Sequence, residues 1–298
     1  MKYLTDGLRI ICPKQKNNMK EKFDIYELVN KRIIEMLEAG TVPWHQPWRG
    51  GEPPANLISK KPYRGINPLL LGCQAFTSRY WLTFNQAKGI GGMVRKGEQS
   101  TVIVFWKFLE VADKETGEPK TIPMLRYYRV FNVEQCDNID PKKIPACDVI
   151  EERDLDPIAS CEVVAKHYMD NGPSLGFDAP RAYYTPSTDS INMPALPTFD
   201  SAPEYYATLF HEMIHSTGHH ARLNRIKATA HFSSAYSKEE LCAEYGSAYL
   251  CALRGIENTT IDNSAAYINS WLTKLKNDKK LLVSACGQAQ RAVDRVLE

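Results

Sequence analysis

The chain has 298 residues, 37 Lys and Arg against 35 Asp and Glu, a formal net charge of +2, and 43% hydrophobic residues. This length favours two domains over one, and the composition is that of a globular protein. No apolar run approaches the roughly 18 residues that span a bilayer, and the N-terminus lacks the pattern of a secretory signal. We therefore expect a cytoplasmic protein without a membrane partner, whose eight cysteines are free thiols.

The charge differs between the two halves of the chain. Residues 1–150 carry 23 Lys and Arg against 16 Asp and Glu, a net charge of +7. Residues 151–298 carry 14 against 19, a net charge of −5. This asymmetry predicts that the two halves have different partners.

Apolar periodicity predicts the elements of the first half. Apolar residues recur at helical spacing from Phe23 to Ala39, and Gly40 is a natural helix end. A proline-punctuated loop with two tryptophans follows. Further along the chain we expect a short helix and two strands, at 81–89, 101–107 and 124–133.

The second half is predicted to be mostly helical. The pattern favours helices at 157–170, 202–220, 238–254 and 263–297, the last with a break near Asn277. Two short strands are expected between the first two helices, at 182–184 and 190–193.

These elements predict an α+β protein with two domains. A small α+β domain is expected at 21–136 and a mostly helical domain at 157–298. Residues 1–20 are expected to form a flexible tail. Residues 137–156 contain prolines and many charges without a clear period, so we interpret them as a linker.

The strongest chemical signal is the H-E-x-x-H sequence at His211–His215. Residues at positions i and i+4 lie on one face of a helix, so His211 and His215 can bind one divalent metal. Glu212 is then placed to act as general base on a water at that metal. The motif predicts a zinc hydrolase centre, in which another divalent metal is also possible.

A third metal ligand must come from elsewhere in the chain. A third histidine at the spacing H-E-x-x-H-x-x-G-x-x-H is excluded, because that position is Ala221. The run 240–244 resembles the E-x-x-A-[DNE] segment of glutamate-zincins, which makes Glu240 the ligand and Glu244 a residue that braces a ligating histidine. Ser237 could instead begin a helix that Glu240 caps, and Glu244 would then be the ligand.

Other parts of a peptidase site are less defined by the sequence. Tyr236, Arg222 or Arg225 could stabilise an oxyanion, and no spacing rule selects among them. A strand at 189–193 could hold an extended peptide substrate by strand addition.

The first half has the composition of a single-strand binder. Residues 44–107 hold nine Lys and Arg, two acids and nine aromatic residues. Cations that follow phosphates, interleaved with rings that stack on bases, suit single-stranded DNA. The residues predicted to contact DNA are Trp44, Trp48, Arg64, Trp81, Arg95 and Lys96.

The chain from about residue 21 resembles the ArdC-type antirestriction proteins of mobile elements. The resemblance rests on several motifs in order, at 34–44, 62–67, 81–87, 94–98, 130–133, 211–219, 222–225 and 239–244. It implies an N-terminal single-stranded-DNA-binding domain, also found attached to plasmid primases, and a C-terminal zincin-like metallopeptidase domain. Such proteins are associated with protecting incoming DNA from host restriction.

Two other functions remain open at this point. The protein could be a non-catalytic single-stranded-DNA-binding protein whose metal is structural. It could also be a housekeeping peptidase without DNA binding, which the basic, aromatic first half disfavours. The sequence defines neither a peptide substrate nor an oligomeric state.

Overall fold

A computed structural model describes residues 24–48, 51–112, 118–145, 157–226, 234–258, 260–262 and 264–298. The tail predicted at 1–20 lies outside these ranges, as does 146–156 of the predicted linker. No helix within the described ranges is long and apolar enough to cross a membrane.

The described residues form eight α-helices and nine β-strands in an α+β arrangement. The helices are α1 Ile25–Glu38, α2 Asn67–Gly72, α3 Phe84–Gly89, α4 Pro157–Asp170, α5 Ala202–Ser216, α6 Ser234–Arg254, α7 Ala265–Asn277 and α8 Leu281–Leu297. The strands are β1 Ala55–Asn56, β2 Tyr80–Leu82, β3 Met93–Val94, β4 Thr101–Ala112, β5 Pro119–Asn132, β6 Cys136–Asp137, β7 Ser174–Gly176, β8 Tyr183–Thr185 and β9 Ser190–Asn192.

The helices and strands predicted from periodicity are confirmed, with shifted boundaries. Strands β4 and β5 are longer than expected, and α5 ends at Ser216 because the next residues turn. Strands β1, β2, β3, β6 and β7 and helix α2 were not predicted, and residues 81–82 of the helix expected at 81–89 lie in β2. Each of these elements is too short to show a period of its own.

The first half is built on a four-stranded sheet with the order β1-β2-β5-β4. The pairing of β1 with β2 is parallel, and the other two pairings are antiparallel. Strands β4 and β5 form a long hairpin that pairs from Thr101 with Val130 to Ala112 with Pro119. β-Branched and aromatic residues dominate these strands, as expected for a pleated surface.

The described start of the predicted linker belongs to this first half. Strand β6 pairs with β3, and Ile139 and Ile144 pack against the small apolar cluster that contains Leu57 and Leu82. Apolar side chains therefore tie residues 136–144 to the sheet. The predicted boundary at 137 is wrong for this reason, and any linker begins after Ile144.

The second half joins a three-stranded sheet to a helical core. The strand order is β7-β9-β8, with β9 parallel to β7 and antiparallel to β8. Both edges of β9 are therefore paired, and β8 has one free edge in this sheet. The expectation that 189–193 binds a peptide by strand addition is wrong, because that strand has no unpaired edge.

The two halves share one hydrophobic core. Val29, Ile33 and Leu37 on α1 belong to the same buried cluster as Trp271 and Leu275 on α7. The loop after α1 adds rings to this cluster: Trp44 meets Trp271 at a centroid distance of 5.7 Å, and Trp48 meets Tyr249 at 4.5 Å. This shared burial fixes the first half against the helices of the second.

Candidate functional site

Helix α5 presents the two histidines of the H-E-x-x-H sequence on one face. The helix begins after Ser201, whose hydroxyl accepts a hydrogen bond from the Glu204 amide at 3.3 Å, and proline occupies an early position. The opposite face carries buried Phe210, Met213 and Ile214. Packing of that apolar face turns His211 and His215 toward a cleft.

Helix α6 crosses close to α5 and brings a carboxylate to the histidines. A Cβ on Gly246 would lie 2.9 Å from the Ile214 side chain, so glycine permits this approach. The Ser247 hydroxyl also donates to the Ala207 carbonyl at 2.8 Å. The close crossing places Glu240, about a turn and a half earlier on α6, beside the histidine pair.

The side chains of His211, His215 and Glu240 form a three-donor group. Their potential ligand atoms all lie within 4.8 Å of one another. The two Nε2 atoms are 3.1 Å apart, and Glu240 oxygens lie 3.8 Å from Nε2 of His211 and 3.7 Å from Nε2 of His215. Donors around a tetrahedral cation with bonds near 2.0–2.1 Å are separated by about 3.3 Å. The donor set therefore fits a divalent cation.

The second nitrogen of His215 faces a different carboxylate. Its Nδ1 lies 3.3 Å from Oε1 of Glu239. Arg225 donates to both oxygens of Glu239, at 2.8 and 3.0 Å, and also to Thr217 Oγ1 at 2.7 Å. Glu239 was not among the predicted site residues, although its partner Arg225 stands in the Arg222–Arg225 run near the histidines.

Glu244 does not brace a histidine. Its Oε2 accepts hydrogen bonds from Trp44 Nε1 at 2.9 Å and from the Tyr267 hydroxyl. The role expected for Glu244 as support for a ligating histidine is therefore wrong, because Glu239 occupies that place. Ser237 lies inside α6 and not at its start, so Glu240 is not needed as a helix cap.

The proton-binding groups at the site have shifted pKa values. Burial and the neighbouring His215 lower the pKa of His211 to about 3. Burial would also lower the pKa of His215, but its hydrogen bond to Glu239 and the nearby carboxylates of Glu212 and Glu240 raise it. Burial raises the pKa of Glu212, against a backbone hydrogen bond from Tyr184. A raised carboxyl pKa suits a group that takes and returns a proton.

The donor group lies in a cleft of about 710 Å³, which is lined by β8 and by the first turns of α6. Tyr236 is 36% exposed at this cleft. Arg222 is held by Asp189 and by the Ser216 carbonyl, and Arg225 by Glu239. Of the three side chains considered for an oxyanion, Tyr236 offers a hydroxyl on the lining of the cleft, and burial and the neighbouring carboxylate of Glu240 raise the pKa of that hydroxyl.

The tryptophans predicted to stack on DNA bases lie in the core. Trp44 is 0% exposed, Trp48 3% and Trp81 2%. The prediction of base stacking is wrong for all three rings, because composition alone does not distinguish buried from exposed aromatics. Their burial supports the shared core instead.

The three cations predicted to contact DNA lie on the surface, and two of them form ion pairs. Arg64 pairs with Asp294, and Arg95 pairs with Glu98 at 2.7 Å and with Asp137 at 3.5 Å. Lys96 is exposed. Contact of these three side chains with DNA stays a prediction.

The fold and donor set together define a zincin-like protein with an additional N-terminal half. Residues 164–288 match the family described as "Zincin-like metallopeptidase", and residues 23–131 match the "N-terminal domain of anti-restriction factor ArdC". The chain belongs to the ArdC family of antirestriction proteins.

Solved structures and relatives agree with this assignment. The metal-free structure of antirestriction ArdC from plasmid R388 is 40% identical, with a TM-score of 0.74 over 93% of this chain and 97% of that one. Its Mn(II)-bound structure matches equally, over 92% and 97%. The protein y4eC of Sinorhizobium fredii is 35% identical over 91% of both chains.

Two DNA primases TraC of Escherichia coli are each 36% identical over 94% and 93% of this chain. The chain spans only 20% and 27% of their lengths. The similarity to these primases therefore concerns a segment of each.

Proposed function

We propose that this protein binds single-stranded DNA and hydrolyses a peptide bond at a metal centre held by His211, His215 and Glu240, as an antirestriction factor acting in the cytoplasm. The observation that carries the hydrolytic part is the three-donor group beside Glu212, open to a cleft. Zinc suits the nitrogen and oxygen donors, and the Mn(II) in the R388 relative makes manganese the second choice.

The chemistry follows from the positions of the side chains. When bound, the cation would polarise the substrate carbonyl and lower the pKa of a water molecule. Glu212 would take the proton from that water and deliver it to the leaving amine. The raised pKa of Glu212 suits both proton transfers. Tyr236 would donate a hydrogen bond from its hydroxyl to the developing oxyanion. An extended peptide would bind along the free edge of β8.

The substitution Glu212→Gln tests the hydrolytic part. The full-length protein loaded with Zn²⁺ or Mn²⁺ is screened against a mixed peptide library, with and without single-stranded DNA. We expect cleavage by the wild type and a loss of at least about 100-fold in Glu212→Gln with the metal retained. Full turnover by the variant would remove Glu212 as the base.

The runner-up is a single-stranded-DNA-binding protein whose metal only stabilises the fold. The same screen separates it from the proposal. Absence of cleavage by the metal-loaded wild type, together with a large rise in melting temperature on metal binding, would favour the structural role.

A further inference from the structure

The β4–β5 hairpin exposes aromatic rings that the core does not use. Phe105 is 43% and Tyr128 53% exposed, and their ring centroids are 5.7 Å apart. The register pairs Ile103 with Tyr128 and Phe105 with Arg126. Directly paired residues of antiparallel strands point to the same side of the sheet. The two rings therefore share one side of the hairpin.

We call this side the Phe105 face. It consists of Thr101, Ile103, Phe105 and Lys107 on β4 and of Met124, Arg126, Tyr128 and Val130 on β5, together with the positions further out that alternate in the same phase.

The inner end of the Phe105 face is anchored in the protein core. Ile103 and Val130 are 2% and 0% exposed and belong to a cluster with Tyr63 and Trp81. The Tyr63 ring lies 6.4 Å from that of Phe105. The ring of Phe105 therefore lies beside buried Tyr63, at the edge of this cluster. A ring held in place loses less entropy when a ligand stacks on it.

The charge on the Phe105 face is positive. Lys107 lies two residues beyond Phe105 on β4, Arg126 lies directly opposite Phe105, and both side chains are exposed. From Thr101 to Val111 and from residue 120 to Val130, no position in the phase of this face is Asp or Glu. The carboxylate of these two strand segments, Glu110, alternates to the other side.

We propose that the Phe105 face binds single-stranded DNA, with bases stacked on Phe105 and Tyr128 and phosphates contacted by Lys107 and Arg126. This inference rests on the proposed function and names the surface that carries its DNA-binding part. Unpaired bases can offer their faces to exposed rings, whereas the bases of a duplex are already stacked. The two exposed cations would replace counterions of the phosphate backbone.

The opposite side of the hairpin provides matched controls. Trp106 is 45% exposed and alternates to that side, so Trp106→Ala removes a ring of similar exposure from the same strand. Phe84, at the start of α3, is 54% exposed and lies outside the hairpin. Tyr128→Phe preserves the ring and loses only the hydroxyl.

The test uses the full-length protein and a fluorescein-labelled oligothymidine, with anisotropy measured across a salt series. Tyr128→Ala should weaken binding about 5- to 100-fold at every salt concentration, which is the usual value of one stacked base. Tyr128→Phe, Trp106→Ala and Phe84→Ala should bind within about twofold of the wild type. Replacing Lys107 and Arg126 together by Ala should reduce the slope of log affinity against log salt by about 1.4, or 0.7 for each phosphate contact.

Each contrary outcome points to a different failure. A wild type that does not bind the oligonucleotide overturns the DNA-binding part of the proposed function. A second outcome is that the wild type binds while Tyr128→Ala and the double cation variant match it in affinity and salt slope. That result overturns only the assignment of DNA binding to the Phe105 face. A loss in Trp106→Ala without a loss in Tyr128→Ala assigns DNA to the other side of the hairpin. Melting curves of every variant show whether a loss reflects unfolding.

Discussion

The indole Nε1 of Trp44 donates a hydrogen bond to Oε2 of Glu244 at 2.9 Å, across 200 positions in the sequence. The bond joins the loop after α1 to the helix that carries Glu240. The Tyr267 hydroxyl on α7 donates to the same carboxylate oxygen. The first half of the chain therefore contacts helix α6 one turn beyond Glu240, the glutamate of the three-donor group.

Glu244 gives the metal-free protein a pH-dependent stability. Burial raises its pKa to about 7, although the hydrogen bonds from Tyr267 and Trp44 act in the opposite direction. Between pH 4.5 and about 7 the folded state keeps a proton that the unfolded state has released. The contribution of Glu244 to the free energy of unfolding is therefore fully present below pH 4.5 and is lost as the pH rises through about 7.

We therefore expect Glu244→Gln to increase the free energy of unfolding above pH 7 by about 1–3 kcal/mol, since the neutral amide still accepts both hydrogen bonds. Urea unfolding of the chelator-treated proteins at a series of pH values measures the difference. Parallel curves for wild type and variant from pH 4 to 9 would show that Glu244 ionises at its ordinary pKa in the folded protein.

A fragment of residues 21–145, which keeps strand β6 and Ile144, should not fold as it does in the full chain. Cutting after 145 uncovers Trp44, Trp48 and the buried face of α1, which pack against helices of the second half. Burial of one large apolar side chain contributes about 1.5–3 kcal/mol, so the loss exceeds the stability of a small domain. We expect a low melting temperature and strong binding of a hydrophobic dye. A monomeric fragment with a cooperative transition like that of the full chain would contradict the shared core.

Glu239 should control metal affinity without being a ligand. Glu239→Gln removes the charge that orients His215 and leaves Arg225 without its ion pair. We expect Mn²⁺ and Zn²⁺ affinity to fall about 10- to 100-fold in calorimetric titration. Glu162→Gln, an exposed carboxylate on α4, is the matched control and should have wild-type affinity. Unchanged metal affinity in Glu239→Gln would show that Glu239 pairs with Arg225 but does not influence the metal site.

The local part of this site could be predicted from the sequence. Histidines at i and i+4 on an amphipathic helix must share a face, and the E-x-x-A-E segment indicated a carboxylate on a later helix. Glu239 was missed because neighbouring positions on a helix differ by about 100° in direction. Only the crossing of α5 and α6 determines that Glu239 and Glu240 reach opposite nitrogens of one imidazole.

Properties that depend on burial and strand order could not be predicted. The composition of 44–107 indicated rings and cations, but Trp44, Trp48 and Trp81 proved buried while Phe105 and Tyr128 proved exposed. Likewise, nothing in the residues of β8 and β9 indicates which strand lies at the edge. An alternation with a period of two residues indicates which side chains share a face of a strand. It does not indicate which strands pair with that strand.

The most direct test of the metal centre is a titration of the chelator-treated full-length protein with Zn²⁺ and Mn²⁺. We expect one divalent metal per chain in the wild type, in Glu212→Gln and in Glu244→Gln, and no tight binding in His211→Ala or His215→Ala. Glu240→Gln should lose more affinity than Glu244→Gln, because it removes a ligand. Absence of binding by the wild type, or a greater loss in Glu244→Gln than in Glu240→Gln, would contradict the centre of His211, His215 and Glu240.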